Sequence, residues 1–114
     1  MMSQADLGLI GTDIEKVDRF KNISDTFRNR VFTSAEISYC ESKAAPAEHY
    51  CGKYAAKEAV YKALADKVGE EEMTETEIIS EGRPEARPSV EVSESNLSIS
   101  HTEDYAVAFY QCLI

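Results

Sequence analysis

The chain has 114 residues, 43% of them hydrophobic and 29% charged, which suits one domain built on one core. A formal net charge of −9 argues against nucleic acid as a partner, and the apolar runs are too short to cross a membrane. Cys40, Cys51 and Cys112 show no CxxC spacing, two distant histidines add no zinc signature, and the N-terminus lacks the basic flank and apolar core of a secretory signal; a cytoplasmic protein with reduced thiols is expected.

Residues 7–14, "LGLIGTDI", read as a strand. Leu7 and Leu9 share one face and Ile10 and Ile14 the other, which predicts a central strand covered on both sides, with Asp13 at its end. Residues 15–32 read as partly helical, with a restart after Ser24 as N-cap. Thr33 followed by Glu36 is the capping-box pattern and starts a short helix within 33–44, which Ala45-Pro46-Ala47 ends. The main helix is expected over 47–68. Tyr50, Tyr54, Tyr61 and Leu64 form one apolar stripe on it, while Gly52, Ala56, Ala59, Val60 and Ala63 form a face of mostly small residues suited to close packing. The window from Asp66 to Ser95 holds ten acids against Lys67, Arg83 and Arg87, or −7 of the −9, and reads as a solvated face or loop. Strands are expected at 76–80, 89–93, 96–101 and 105–114, the last two forming a hairpin through Thr102-Glu103-Asp104 with His101 at its tip. The fold class is α+β: a single domain with an antiparallel sheet packed against one long helix and several short ones.

Few residues offer chemistry. Asp13 reads either as an N-cap for the segment that follows or as a magnesium ligand, since Mg²⁺ takes hard oxygens and often only one or two protein carboxylates. Glu58 reads either as an exposed helix residue paired with Lys62, worth about 0.2–0.5 kcal/mol, or as the second carboxylate. Lys57 and Lys62 flank Glu58, so a metal there would leave both bases placed to meet the phosphates it binds. His101 is either a surface histidine or, with Ser98 and Ser100, a contact for phosphate or ribose. Lys16, Arg19, Lys21, Arg28 and Arg30 give the N-terminal part a basic character that admits an acidic partner. No Ser-His-Asp order, P-loop or dinucleotide glycine fingerprint is present.

Four segments together resemble the holo-acyl-carrier-protein synthases, the small 4′-phosphopantetheinyl transferases. "IGTDIEKVDRF" is similar to the family's N-terminal Gly-x-Asp-Ile motif with an Arg six residues after the Asp, here Gly11, Asp13, Ile14 and Arg19. "VFTSAEISYC" resembles its Phe-Thr-x-x-Glu-x-x-Tyr-Cys segment, here Phe32, Thr33, Glu36, Tyr39 and Cys40. "GKYAAKEAVYKAL" is similar to its aromatic-Ala-x-Lys-Glu-Ala signature with a following Lys-Ala, and "SISHTEDYAVAF" to its closing Ser-x-Ser-His-x-x-x-Tyr-Ala-x-Ala motif. They stand in the family's order and reach from one end of the chain to the other.

The resemblance implies transfer of 4′-phosphopantetheine from coenzyme A to a serine of acyl carrier protein, with release of 3′,5′-ADP. A non-catalytic module binding coenzyme A or carrier protein on the same fold is the alternative. Asp13, Glu58 and Lys62 would be the catalytic set, with Asp13 and Glu58 on Mg²⁺. Lys57, Lys62 and His101 would contact coenzyme A, and Arg19, Lys21 and Arg28 the carrier protein. A homotrimer with sites between subunits is implied, so His101 would come from the neighbouring chain. The sequence departs from the family at Glu15, where an apolar residue is usual, at Lys16, where an acid is usual, and at Ala65-Asp66-Lys67, where glycines are common. The region between Gly82 and Asn96 is short, without the helix often found before the last hairpin.

Overall fold

In the computed structural model, which describes residues 8–68 and 73–113, one three-stranded antiparallel sheet carries a long helix across one face. Strand β1 (Leu9–Lys16) pairs with β5 (Tyr105–Leu113), which pairs in turn with β4 (Glu94–His101), giving the order β1-β5-β4. A 3₁₀ turn, Val17–Phe20, leads to helices α1 (Asp25–Val31), α2 (Ser34–Glu41) and α3 (Pro46–Val68). A small second sheet pairs β2 (Glu77–Ile79) with β3 (Glu85–Arg87). Of the acidic window, Glu70, Glu71 and Glu72 lie outside the described residues.

Local chemistry explains the helix starts. The Ser24 hydroxyl accepts from the Phe27 backbone N–H and caps α1. Thr33 and Glu36 form the expected capping box on α2, each side chain accepting the other's backbone N–H. Pro46 opens α3, where its missing N–H costs no helical bond.

The small-residue face of α3 lets the helix sit against the sheet. Ala55, Ala56, Ala59, Val60, Ala63 and Leu64 are buried in one cluster with Leu97, Ala108, Tyr110 and Cys112. The approach is closest at Gly11, where a Cβ would stand 1.9 Å from the Ala59 carbonyl oxygen and 2.8 Å from the Ala63 nitrogen. Backbone on both sides leaves no flexible end to yield. Gly11→Ala is therefore expected to destabilise the fold by about 3 kcal/mol or more, at the upper end for overpacking. The check is thermal unfolding, with a fall in Tm of roughly 12 °C or more; a shift within ~2 °C would refute the close packing.

The sheet departs from expectation at three places. Strand β1 is an edge strand of this sheet, paired only with β5, and only its odd residues face α3, so it is not a central covered one. Ile10 and Ile14 are 59% and 64% exposed and join Tyr105, Val107 and Phe109 in a bare apolar face. The strand also continues to Lys16, since its ladder with β5 runs on to Lys16 opposite Tyr105. Asp13 is thus an interior strand residue facing the helix, not an N-cap, and Glu15 is a strand residue on the same face. The strand expected at 89–93 is absent: Pro88 removes a ladder donor, and Val90 and Val92 only pack against the core. The paired segment is instead 85–87, between Pro84 and Pro88, and no helix lies between β3 and β4.

Candidate functional site

Two of the lysines on α3 turn away from the predicted site. The Lys57 side chain is 1% exposed, and its Nζ lies 2.8 Å from Glu36 Oε1 while donating to the Met73 and Thr76 carbonyls at 2.9 and 2.6 Å. Burial pulls its ammonium below the usual lysine range, against the opposing charge of Glu36. The expectation that Lys57 contacts a phosphate is therefore corrected, because all three of its donors are engaged inside the protein. Lys53, one turn earlier, is likewise buried and donates to Ile78 O at 2.8 Å and Ser80 Oγ at 2.6 Å. The two lysines tie the segment 73–80 to the helix. Glu36 completes the brace by accepting from the Ile78 N–H at 2.7 Å.

On another face of α3, Asp13, Glu58 and Lys62 come together. Lys62 is half-exposed, and its Nζ donates to Asp13 Oδ1 at 2.8 Å and to the Thr12 carbonyl at 3.1 Å. This bond raises the Lys62 ammonium above its ordinary range. The Asp13 side chain is 9% exposed, and its Oδ2 is buried with no hydrogen-bond partner. Burial, then the charge of Asp13, lifts the Glu58 carboxyl, while Lys62, the Tyr54 hydroxyl and Arg19 pull it down. Lys62 thus pairs with Asp13 rather than with Glu58 alone, as a simple helix pair would require.

Glu15 joins this group. Burial and then the adjacent Asp13 push its carboxyl up to about 7, against the lowering effect of Arg19. Arg19 forms an ion pair with Glu15, and its guanidinium lies 5.3 Å from the centre of the Tyr54 ring. The sequence reading missed Glu15 by assigning it to a helix and Tyr54 by counting it only in an apolar stripe. The available signal was the two-residue spacing from Asp13, which puts both carboxylates on one face once the strand is extended.

Asp13 and Glu58, whose charges act on each other, together with the buried, unpartnered Asp13 Oδ2, fit a small divalent cation. Among the described residues no three His, Cys, Asp or Glu side chains form a protein-only cage. A Mg²⁺ ion keeps waters and phosphate oxygens and needs only one or two carboxylates; Asp13 and Glu58 would be those two.

His101 lies elsewhere in the same chain. Its Nδ1 is 3.2 Å from Glu48 Oε1 and its ring stands edge-on to His49, with centroids 5.5 Å apart. With Tyr39, Lys53 and Ser80 these residues line a cavity of about 190 Å³. Glu48 precedes Glu58 by ten residues, which is about 15 Å along the helix and about 80° around it. The chain's own His101 therefore sits beside a part of α3 well removed along the helix axis from Glu58. Among the expected docking residues, Arg19 and Lys21 are half-exposed, Lys21 pairing with Asp18 at 2.8 Å, while Arg28 is more covered and pairs with Asp25 at 2.5 Å. Lys21 and Arg28 flank a groove of about 420 Å³ whose walls include Phe20, Ile23 and Tyr50.

Comparison with known proteins assigns the family. A family model described as the 4′-phosphopantetheinyl transferase superfamily matches residues 9–110. A holo-acyl-carrier-protein synthase from Thermodesulfovibrio yellowstonii is 40% identical over 108 residues, covering 88% of this chain and 93% of its own. The crystal structure of a holo-acyl-carrier-protein synthase from Bacillus anthracis in complex with CoA (3′,5′-ADP) superposes with a TM-score of 0.78 at 32% identity, over 93% of this chain and 95% of that one. A Helicobacter pylori holo-acyl-carrier-protein synthase in complex with coenzyme A gives a TM-score of 0.76 at 27% identity, over 91% and 99%. On the family match across nearly the whole chain and the identity to the relatives, the chain belongs to the 4′-phosphopantetheinyl transferase superfamily.

Proposed function

We propose that this chain transfers 4′-phosphopantetheine from coenzyme A to a serine of an apo acyl carrier protein, with Mg²⁺ as cofactor, 3′,5′-ADP as the second product and a cytoplasmic location. The observation that carries this reading is the meeting of Asp13, Glu58 and Lys62, with the Asp13 Oδ2 buried and unpartnered. A bound Mg²⁺ supplies charge neutralisation at the diphosphate.

The chain's own groups do the rest. Lys62, held over Asp13 on a flexible stem and half-exposed, presents an ammonium to a phosphate oxygen. The serine oxygen forms a bond to the phosphorus next to pantetheine, and the bond to 3′,5′-ADP breaks. The serine proton goes to water or to Glu58, whose raised carboxyl suits an acceptor. The cavity beside His101 offers a polar and aromatic wall to the nucleotide end of coenzyme A.

Two features suit a homotrimer with sites between subunits. Ile10, Ile14, Val107 and Phe109 form an exposed apolar face of the kind that subunit contacts cover. Because Glu48, which His101 contacts, lies about 15 Å along α3 from Glu58, a neighbouring chain is the better source of that histidine. Carrier docking falls to Arg19, Lys21 and Arg28, whose charges beside the groove suit an acidic amphipathic helix.

The test is incubation with coenzyme A, Mg²⁺ and an apo carrier protein, read by intact mass of the carrier. Addition of one phosphopantetheine is the expected result; coenzyme A binding with no transfer would leave only a binding module. Arg19→Glu is expected to weaken carrier binding roughly tenfold or more without weakening coenzyme A binding, since exposed charge pairs act on association. Calorimetry with each ligand checks this, and equal losses for both would remove Arg19 from the docking surface.

A further inference from the structure

The Glu15–Arg19 ion pair belongs to no step described so far, yet it borders the carboxylate pair. Glu15 follows Asp13 by two residues on the same strand face, and its side chain is 12% exposed. Its partner Arg19 lies over the Tyr54 ring, one helical turn before Glu58. Glu15 is largely covered while Arg19 is half-exposed, so burial strengthens chiefly the Glu15 field at the neighbouring oxygens. The second observation that points to a ligand is the Asp13 side chain itself, nine-tenths buried with Oδ2 unpartnered.

We infer that Glu15 and Arg19 form a charge-balancing pair that sets the affinity of the Asp13–Glu58 site for its divalent cation. This rests on the cation reading above and adds two residues to it. Arg19 opposes a second positive charge at the site, and Glu15 favours one. With both present their effects largely cancel, so that the site is neither too negative to fold without an ion nor too positive to take one. Arg19 then has two tasks, a docking contact outward and a counter-charge inward, and only the second operates in the absence of carrier protein.

The pair makes a prediction of opposite signs. Mn²⁺ is titrated into the full chain alone at pH 8, without coenzyme A or carrier, and free ion is read by electron paramagnetic resonance. Glu15→Gln weakens binding and Arg19→Gln tightens it, each by roughly five- to tenfold as expected for removal of one nearby charge. The double variant returns to within about twofold of wild type. Asp13→Asn marks the site by abolishing its binding. Affinities that do not change, or that move in the same direction in both single variants, overturn the inference while leaving the cation site in place. Absence of any Mn²⁺ site sensitive to Asp13→Asn removes the cation reading and this inference with it. A general loss of structure would lower affinity in both variants and cannot produce the opposed result.

Discussion

Glu58→Gln lowers the transfer rate roughly 10³-fold and leaves the chain at least as heat-stable as the wild type. The rate loss follows from removing one of two carboxylates at a site whose work is electrostatic. The stability follows from the direction of the Glu58 shift. Burial and Asp13 raise its carboxyl above the ordinary value, so the folded chain holds that proton more tightly than the unfolded one. Such a group favours folding below the unfolded value and loses that contribution as pH rises through the folded value. At pH 8, without divalent cation, ionised Glu58 opposes the fold and the neutral amide does not. Glu15 adds in the same sense, its contribution fading between the ordinary value of 4.5 and about 7. Thermal unfolding at pH 8 alongside the carrier-mass assay checks both halves. Wild-type turnover in the variant would refute the role of Glu58, and a large fall in Tm would recast the lost activity as misfolding.

Lys57→Met is expected to act in the reverse manner, on stability rather than chemistry. Its loss leaves the Glu36 carboxylate, itself 1% exposed, without its counter-charge, and frees the carbonyls of Met73 and Thr76 from a shared donor. Breaking a buried ion pair by removing one member costs about 3–5 kcal/mol. For a domain of this size that is a fall in Tm of roughly 15 °C or more. The double variant Glu36→Gln, Lys57→Met should lose less than Lys57→Met alone, since the Glu36 carboxylate is no longer left buried without Lys57. Transfer per folded molecule, measured well below the transition, should stay within about threefold of wild type. Loss of transfer with an unchanged Tm would return Lys57 to the phosphates.

These two residues, adjacent on one helix, show what was legible and what was not. The sequence named Glu58 by its chemistry, a lone acid among small residues, and named Lys57 for the same reason. Helical spacing separates their directions but does not say which direction is solvent. A lysine stem is long enough to thread a core and end on carbonyls, and only the positions of Met73, Thr76 and Glu36 reveal that it does. The capping box at Thr33 was legible because it is local, yet its Glu36 also carries the tertiary ion pair, which no local pattern encodes. Strand β1 was legible as a strand. Its edge position was not, because strand order is set by pairing with distant residues, and apolar residues on two faces do not say whether the outer face is covered. Asp13 was read as terminal because the ladder partners in β5 that extend the strand to Lys16 lie about ninety residues away. Glu15 went unrecognised for the same reason.

The central claim is that Asp13 and Glu58 together hold the cation through which the diphosphate of coenzyme A is bound. The direct measurement is calorimetric titration of coenzyme A into wild type, Asp13→Asn and Glu58→Gln, each with and without Mg²⁺. Mg²⁺ should tighten binding roughly tenfold or more in the wild type and by less than about twofold in either variant. A full Mg²⁺ effect surviving in either single variant would contradict the claim.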